Sequence, residues 1–370
     1  MSAVPKVNDL TTMESPLGPR MRINGREVDY FCGTSYYCLH GHSEVIDAAC
    51  AATRQFGMGP GTLAQMGVYQ DLQERLNAWF GVEHVVSLMS GYSSPMALLQ
   101  GLRDDFDVVF VDAATHYSAR DALGTLSKPI FSFRHLDPES LADALARHVG
   151  ARQRPLIVTD GVFPSSGALA PLKDYRRAME PYEGACLAVD DSHGVGTLGS
   201  SGRGSLQHAG IETEGNFLAG TLSKAFGASG GIVPGNRALA DKISANAMVM
   251  RGASPMTPGA AAAATAALKI LQSKPQMREN LIRNVQHMRG GLRKIGFDIA
   301  DTPVPIVSVR GAVDFDRLRE RLDARDIIVK VVKPSGYSDA PDVPSMRLAV
   351  FSEHSPEQID GLLSSISELA

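Results

Sequence analysis

The stretch GTLSKAFGASGG, residues 220–231, sets one lysine, Lys224, among small and mostly uncharged residues. A lysine's ordinary place is a solvated face; partial desolvation lowers its pKa and makes the amine a usable nucleophile. Upstream, DDSH gathers two carboxylates, Asp190 and Asp191, with His193. Such a set can ligate a metal. Alternatively, one carboxylate pairs with a cationic ring nitrogen while the imidazole contacts the same ligand. DAATHYS adds His116, which is either a partner for a planar ring or a hydrogen-bonded structural histidine. SGYSSP, residues 90–95, supplies a glycine and a helix start, with Ser94 expected as the N-cap and Pro95 as the first helical residue. Backbone N–H groups at a helix N-terminus favour an anion, most simply a phosphate, although similar turns bind nothing.

These stretches follow short apolar runs. Val85–Met89, Val108–Val111, Pro155–Val158, Ala185–Val189 and Asn216–Ala219 alternate with helical patterns. Near-continuous apolar strands separated by helices predict an α/β fold with a mostly parallel sheet covered on both faces. In such sheets ligands bind beyond the carboxyl ends of the strands, where all four motifs fall. After an alanine-rich run at 259–268 the character changes. Ile306–Val309, Phe315–Leu322, Ile327–Val332 and Met346–Val350 read as strand, helix, strand and strand before a last helix. The expected organisation is an N-terminal segment (1–42), a large domain (43–259), and a linking helix with a small α+β C-terminal domain (260–370).

Composition excludes other classes. A chain of 370 residues with 44% hydrophobic and 21% charged residues suits one large and one small domain. A net charge of −4 leaves no basic footprint for nucleic acid. No apolar run is long enough to span a membrane, and the N-terminus lacks the pattern of a signal peptide. The four cysteines show neither a C-x-x-C pair nor zinc spacing, so reduced thiols and a cytoplasmic location are expected, with no metal.

A phosphate cradle, a strand-end aspartate, an imidazole and a desolvated lysine together meet the requirements of pyridoxal 5′-phosphate. The lysine binds its aldehyde, and the aspartate keeps its pyridine nitrogen protonated so that the ring withdraws electrons. The order THYS, TDGVF…G…APL, VDDSHGVGTLG…GRG, TLSKAFGASGG and MRLAVFSEHSPEQID resembles the α-oxoamine synthase family of fold-type I pyridoxal-phosphate enzymes. The likeness runs from about Val28 to the C-terminus.

The resemblance implies residue roles. Lys224 would bind the cofactor aldehyde, Asp190 the pyridine nitrogen and His193 the 3′-oxygen, while His116 would stack on the ring. Gly91, Tyr92, Thr221 and Ser223 would hold the phosphate, joined by Ser254 from the neighbouring subunit of a homodimer with shared sites. Arg347 would grip the amino-acid carboxylate. The implied reaction condenses an amino acid with an acyl thioester, on CoA or a carrier protein, and releases CO2. An aminotransferase or amino-acid decarboxylase on the same scaffold is the alternative, and a metal- or nucleotide-binding protein would leave Lys224 unexplained. The chain departs from the family pattern in FGMGPGTLAQMGVYQDLQERL, which is shorter and has Tyr69 in place of a histidine. It also departs at Thr34 and Pro164. The loop and Thr34 lie where acyl-donor and substrate contacts would fall, and the shortened loop points to an unusual or carrier-bound acyl group.

Overall fold

Apolar runs that end in aspartate build the larger part of the protein. A computed structural model describes residues 12–60, 66–340 and 342–369. The first strands are β1 (Arg20–Ile23) and β2 (Arg26–Tyr30). They precede β3 (His84–Leu88), β4 (Val108–Asp112), β5 (Ile130–Phe133), β6 (Pro155–Asp160), β7 (Cys186–Asp190), β8 (Asn216–Thr221) and β9 (Gly231–Gly235). The last are β10 (Ile306–Val309), β11 (Ile327–Ile328), β12 (Lys330–Val332) and β13 (Ser345–Ala349). The chain divides into two compact units, one of Ser43–Phe163 with Ala168–Ser273, the other of Met1–His42, Pro164–Gly167 and Lys274–Ala370.

The first unit holds a seven-stranded sheet in the order β3-β9-β8-β7-β6-β4-β5. β5, β4, β6, β7 and β8 pair in parallel; β9 is antiparallel to both β8 and β3. Every residue of β4 and β6 is buried, as parallel strands covered on both faces require. The alanine-rich run lies in the helix Pro258–Ser273. A Cβ on its Gly259 would come within 2.5 Å of Thr53 Oγ1 and 3.1 Å of the Ala49 carbonyl oxygen. This close approach to the helix Ser43–Phe56 explains why small residues recur there. The helix after β3 spans Ser93–Gly101, so Ser94 lies inside its first turn and is not the N-cap. That position belongs to Tyr92, with no side-chain cap, and Pro95 is the third helical residue, where its missing N–H is still harmless.

The second unit carries two three-stranded sheets, β1-β2-β11 and β10-β13-β12. The expected strand Ile327–Val332 is therefore two strands that serve different sheets, β11 pairing with β2 and β12 with β13. Asn284 Nδ2 converges on the carbonyls of Phe351, Ser352 and His354 at 3.0, 3.3 and 2.8 Å, closing the turn after β13. His354 stacks on Phe31 at 4.4 Å with an interplanar angle of 3°. Its Nδ1 accepts from the Phe351 N–H at 2.8 Å, so Nε2 is the nitrogen that donates, to the Tyr30 carbonyl at 3.1 Å. Among the described residues, no helix is long and apolar enough to cross a membrane.

Burial holds the His354 pKa down to about 4 from its ordinary 6.5. The unfolded chain then binds a proton that the folded chain refuses, so stability is full above pH 6.5 and is lost as pH falls toward 4. The loss amounts to about 3 kcal/mol. Unfolding free energies measured across that window should show this slope in the wild type and a flatter one in His354→Gln. An equal slope in both proteins would refute the assignment.

Candidate active site

Three neighbouring parallel strands, β4, β6 and β7, each end in an aspartate, and Asp112, Asp160 and Asp190 are all buried. A buried carboxylate must collect hydrogen bonds. Asp112 accepts from the N–H groups of Ala114 and Leu136 and lies 2.9 Å from His135 Nδ1. Asp160 Oδ1 accepts from the His116 N–H at 3.0 Å. Asp190 Oδ1 accepts from Ser192 N and Oγ at 3.2 and 2.6 Å, and Oδ2 accepts from Ser118 Oγ at 2.9 Å. The carboxylates thus hold the loops that carry the sequence-predicted residues.

His116 caps the helix Tyr117–Leu123, its Nδ1 lying 3.2 Å from the Ser118 N–H and 2.7 Å from the Ser118 hydroxyl. The Tyr92 ring meets it edge-on at 6.2 Å, and the Tyr92 hydroxyl bonds Asp121. Asp190 and His116 are therefore joined through one serine. His193 is buried. It lies within the turn in which the Gly194 N–H bonds the Asp191 carbonyl.

Asp191 settles the ambiguity of DDSH. It is fully buried, its Oδ2 accepts from the Ser205 N–H at 2.6 Å, and burial pushes its pKa up to about 7. A Cβ on Gly161, Gly194 or Gly204 would come within 2.3, 2.0 or 2.0 Å of its carboxylate oxygens. Glycines close around this group and leave no room for a ligand, so Asp190 is the carboxylate that can meet one. Among the described residues, no set of His, Cys, Asp or Glu side chains is placed to hold a metal ion.

Lys224 lies in the turn after β8, between buried Leu222 and buried Ala225 and Phe226. Its charge acts on Asp191. At the start of the same turn Thr221 Oγ1 donates to the Gly230 carbonyl at 3.0 Å and accepts from the Ser223 N–H at 3.1 Å. Gly91 faces Thr221 so closely that a Cβ would lie 2.4 Å from its Oγ1. The loop after β3 and the turn after β8 thus form one cradle at the N-terminus of the helix Ser93–Gly101. Buried Ser94 Oγ has no partner among the described residues. Hydroxyls, backbone N–H groups and a helix start suit a phosphate, and the carboxylate, imidazole and amine suit the rest of pyridoxal phosphate.

Ser254 is exposed in the segment before the helix Pro258–Ser273, and no hydrogen bond joins it to the cradle among the described residues. Tyr69 bonds the Met256 carbonyl at 2.7 Å. Part of the shortened loop, residues 61–65, lies outside the described residues.

Arg347 belongs to the second unit. It is buried on β13, and its Nε donates to the Pro164 carbonyl at 2.7 Å. Lys330 and Ser308 stand directly opposite it on the two flanking strands, so all three side chains share one face. Lost hydration and the Arg347 charge hold the Lys330 ammonium below the ordinary lysine range.

Sequence reasoning missed Ser118, Ser192, Asp160 and Lys330. The first two stand inside the quoted motifs, and Asp160 ends an apolar run, so each carried a signal. Lys330 carried none, because its position beside Arg347 depends on strand register.

A model of the aminotransferase class I and II family matches residues 33–366. The 8-amino-7-oxononanoate synthase of Nitrosococcus oceani is 33% identical over 369 residues, which cover 96% of this chain and 95% of that protein. The same enzyme of Methylococcus capsulatus is 33% identical over 364 residues, 96% of this chain and 92% of that one. Sphingomonas wittichii serine palmitoyltransferase superposes with a TM-score of 0.88 at 25% identity, covering 97% of this chain and 91% of that one. An 8-amino-7-oxononanoate synthase from Francisella tularensis shares the fold at a TM-score of 0.77 and 22% identity, with 92% of this chain and 97% of that one covered. The chain belongs to the aminotransferase class I and II family, in its α-oxoamine synthase branch of pyridoxal-phosphate enzymes.

Proposed function

We propose that the chain condenses an amino acid with an acyl thioester, releases CO2 and forms an α-aminoketone, using the residues gathered at the strand ends. The carrying observation is the link from His116 through Ser118 to Asp190, in the unit that also holds Lys224. Bound pyridoxal phosphate supplies an electron sink for the pair left at the amino-acid Cα. Lys224 would hold the cofactor through its aldehyde, and its Nζ would accept a proton from the amino-acid Cα. Asp190 would hold the pyridine nitrogen protonated, His116 would stack on the ring and His193 would contact the 3′-oxygen. Gly91, Tyr92, Thr221 and Ser223 hold the phosphate.

Arg347 orients the amino-acid carboxylate. Lys330 supports this role, since like charges directly across a ladder repel and a carboxylate placed between them relieves the repulsion. Ser254 completes the phosphate site of the partner in a homodimer. The four free cysteines agree with a cytoplasmic setting.

Purified protein should absorb visible light through the bond between Lys224 and its cofactor. Lys224→Ala should abolish that absorption. Asp190→Asn should keep it and lose turnover by several orders of magnitude, and near-normal activity in either variant would sink the assignment.

Screening amino acids for CO2 release decides the reaction. Release that strictly requires a thioester is expected; release without one would make the protein a decarboxylase, and amino transfer to a keto acid an aminotransferase. With the productive pair, Arg347→Ala should lower kcat/KM for the amino acid by about 30- to 1,000-fold, the worth of a charge-assisted clamp. An unchanged value would remove Arg347 from the site.

Sedimentation should show a dimer, and Ser254→Ala should weaken cofactor retention. A fully active monomer would contradict the shared site.

A further inference from the structure

The turn that holds Arg347 is itself held. Ser165 and Asp339 are buried, and a buried carboxylate collects donors. The Ser165 N–H lies 2.9 Å from Asp339 Oδ2 and 3.1 Å from Oδ1. The Ser166 N–H and hydroxyl lie 2.8 and 3.0 Å from Oδ2. The Ser165 N–H and the Pro164 carbonyl belong to one peptide group, and that carbonyl accepts from Arg347 Nε at 2.7 Å. The group is planar and trans, so its N–H and C=O point in opposite directions and turn together. A carboxylate at one end and a guanidinium at the other make both bonds charge-assisted, and each polarises the amide toward the other. All of these residues lie in the second unit.

We propose that Asp339 is a positioning residue: it locks the Pro164–Ser165 peptide and, through it, the plane of the Arg347 guanidinium. The proposal rests on the reading that Arg347 grips the amino-acid carboxylate. With Nε fixed on Pro164, the planar fork has one orientation in which to offer its η nitrogens to a carboxylate. The other contacts of the guanidinium do not set that plane. The Gly33 carbonyl lies 3.4 Å from Nη1, beyond the usual range of a hydrogen bond. The Tyr36 hydroxyl also bonds the guanidinium, but a hydroxyl turns to suit its partner and a peptide cannot. Asp339 acts as well on the Lys330 ammonium across from Arg347, a second route that a double variant with Arg347 separates.

The test reads exchange of the Arg347 Nε–H with water, by nitrogen NMR of arginine-labelled protein, beside steady-state kinetics of the protein loaded with pyridoxal phosphate. Loss of the resonance in Arg347→Lys identifies it. Asp339→Ala should speed the exchange by about tenfold or more and lower kcat/KM for the amino acid by about 10- to 100-fold, chiefly through KM. That is the worth of one hydrogen bond to a charged group. Asp339→Asn keeps an acceptor oxygen without the charge and should fall between wild type and Asp339→Ala in both readouts. In the Arg347→Ala background, Asp339→Ala should change kcat/KM by less than about threefold. Wild-type exchange or wild-type kcat/KM in Asp339→Ala overturns the proposal. So does a full further loss in the Arg347→Ala background, which would mean that Asp339 acts through Lys330 or through the fold. Should Asp339→Ala fail to fold, Asp339→Asn decides, and wild-type values of exchange or KM there overturn the proposal. Should wild type turn over no amino acid, the functional reading fails, while the exchange rates still test the hold of Asp339 on Arg347.

Discussion

A carboxylate taken out of water must be surrounded by donors, and the larger unit places Asp112, Asp160 and Asp190 at the ends of three adjacent strands. Much of the catalytic end of the sheet derives from that constraint. Each aspartate takes donors from a loop beyond another strand as well as, or instead of, from its own. Asp112 fixes the turn after β5, Asp160 fixes the backbone of His116, and Asp190 fixes Ser118. Pairing across strand ends turns separate loops into one surface, which is what a ring-shaped cofactor requires.

Asp191 shows the same constraint solved in the opposite way. Donors are scarce around it, since one oxygen takes the Ser205 N–H and the other has no partner among the described residues. Glycine backbones press against it instead, and its pKa rises to about 7. Adjacent carboxylates in one strand-end turn therefore differ in kind. Asp190 is dressed with hydroxyls and can face a ligand, whereas Asp191 is walled in and serves packing. Exchanging their environments would exchange their roles, because the residue type is the same.

Much of this was legible in the sequence for a physical reason: parallel strands buried on both faces read as apolar runs, and the residues just beyond the end of each run lie on the binding side. The stretches that carry Lys224, Asp190, His116 and Gly91 were placed at strand ends that way. The strands β1 and β2 were not read, because their alternation is short and charged and their partner β11 lies about three hundred residues further on. Register hid Lys330, and the close packing of glycines around Asp191 was not legible in the residue types. Ser94 misled because a serine before a proline looks like a cap, whereas the turn Ser90–Ser93 had already begun the helix: the Ser93 N–H bonds the Ser90 carbonyl at 3.1 Å.

The cradle also shows why such a site is costly to keep in a folded chain. Gly91 and Gly231 each admit a neighbour that a side chain would expel, Thr221 in one case and Ser94 with the Ser90 carbonyl in the other. Each glycine gives up more backbone entropy on folding than alanine would. Ser94 Oγ stays buried without a partner among the described residues, and an unmatched hydroxyl costs about 1–3 kcal/mol. The packing between the loop after β3 and the turn after β8 itself demands both glycines. A helix N-terminus and an unpaired hydroxyl attract negative charge, which the proposed phosphate site would use. On the proposed reading, the phosphate end of the cofactor would offset the unmatched hydroxyl of Ser94.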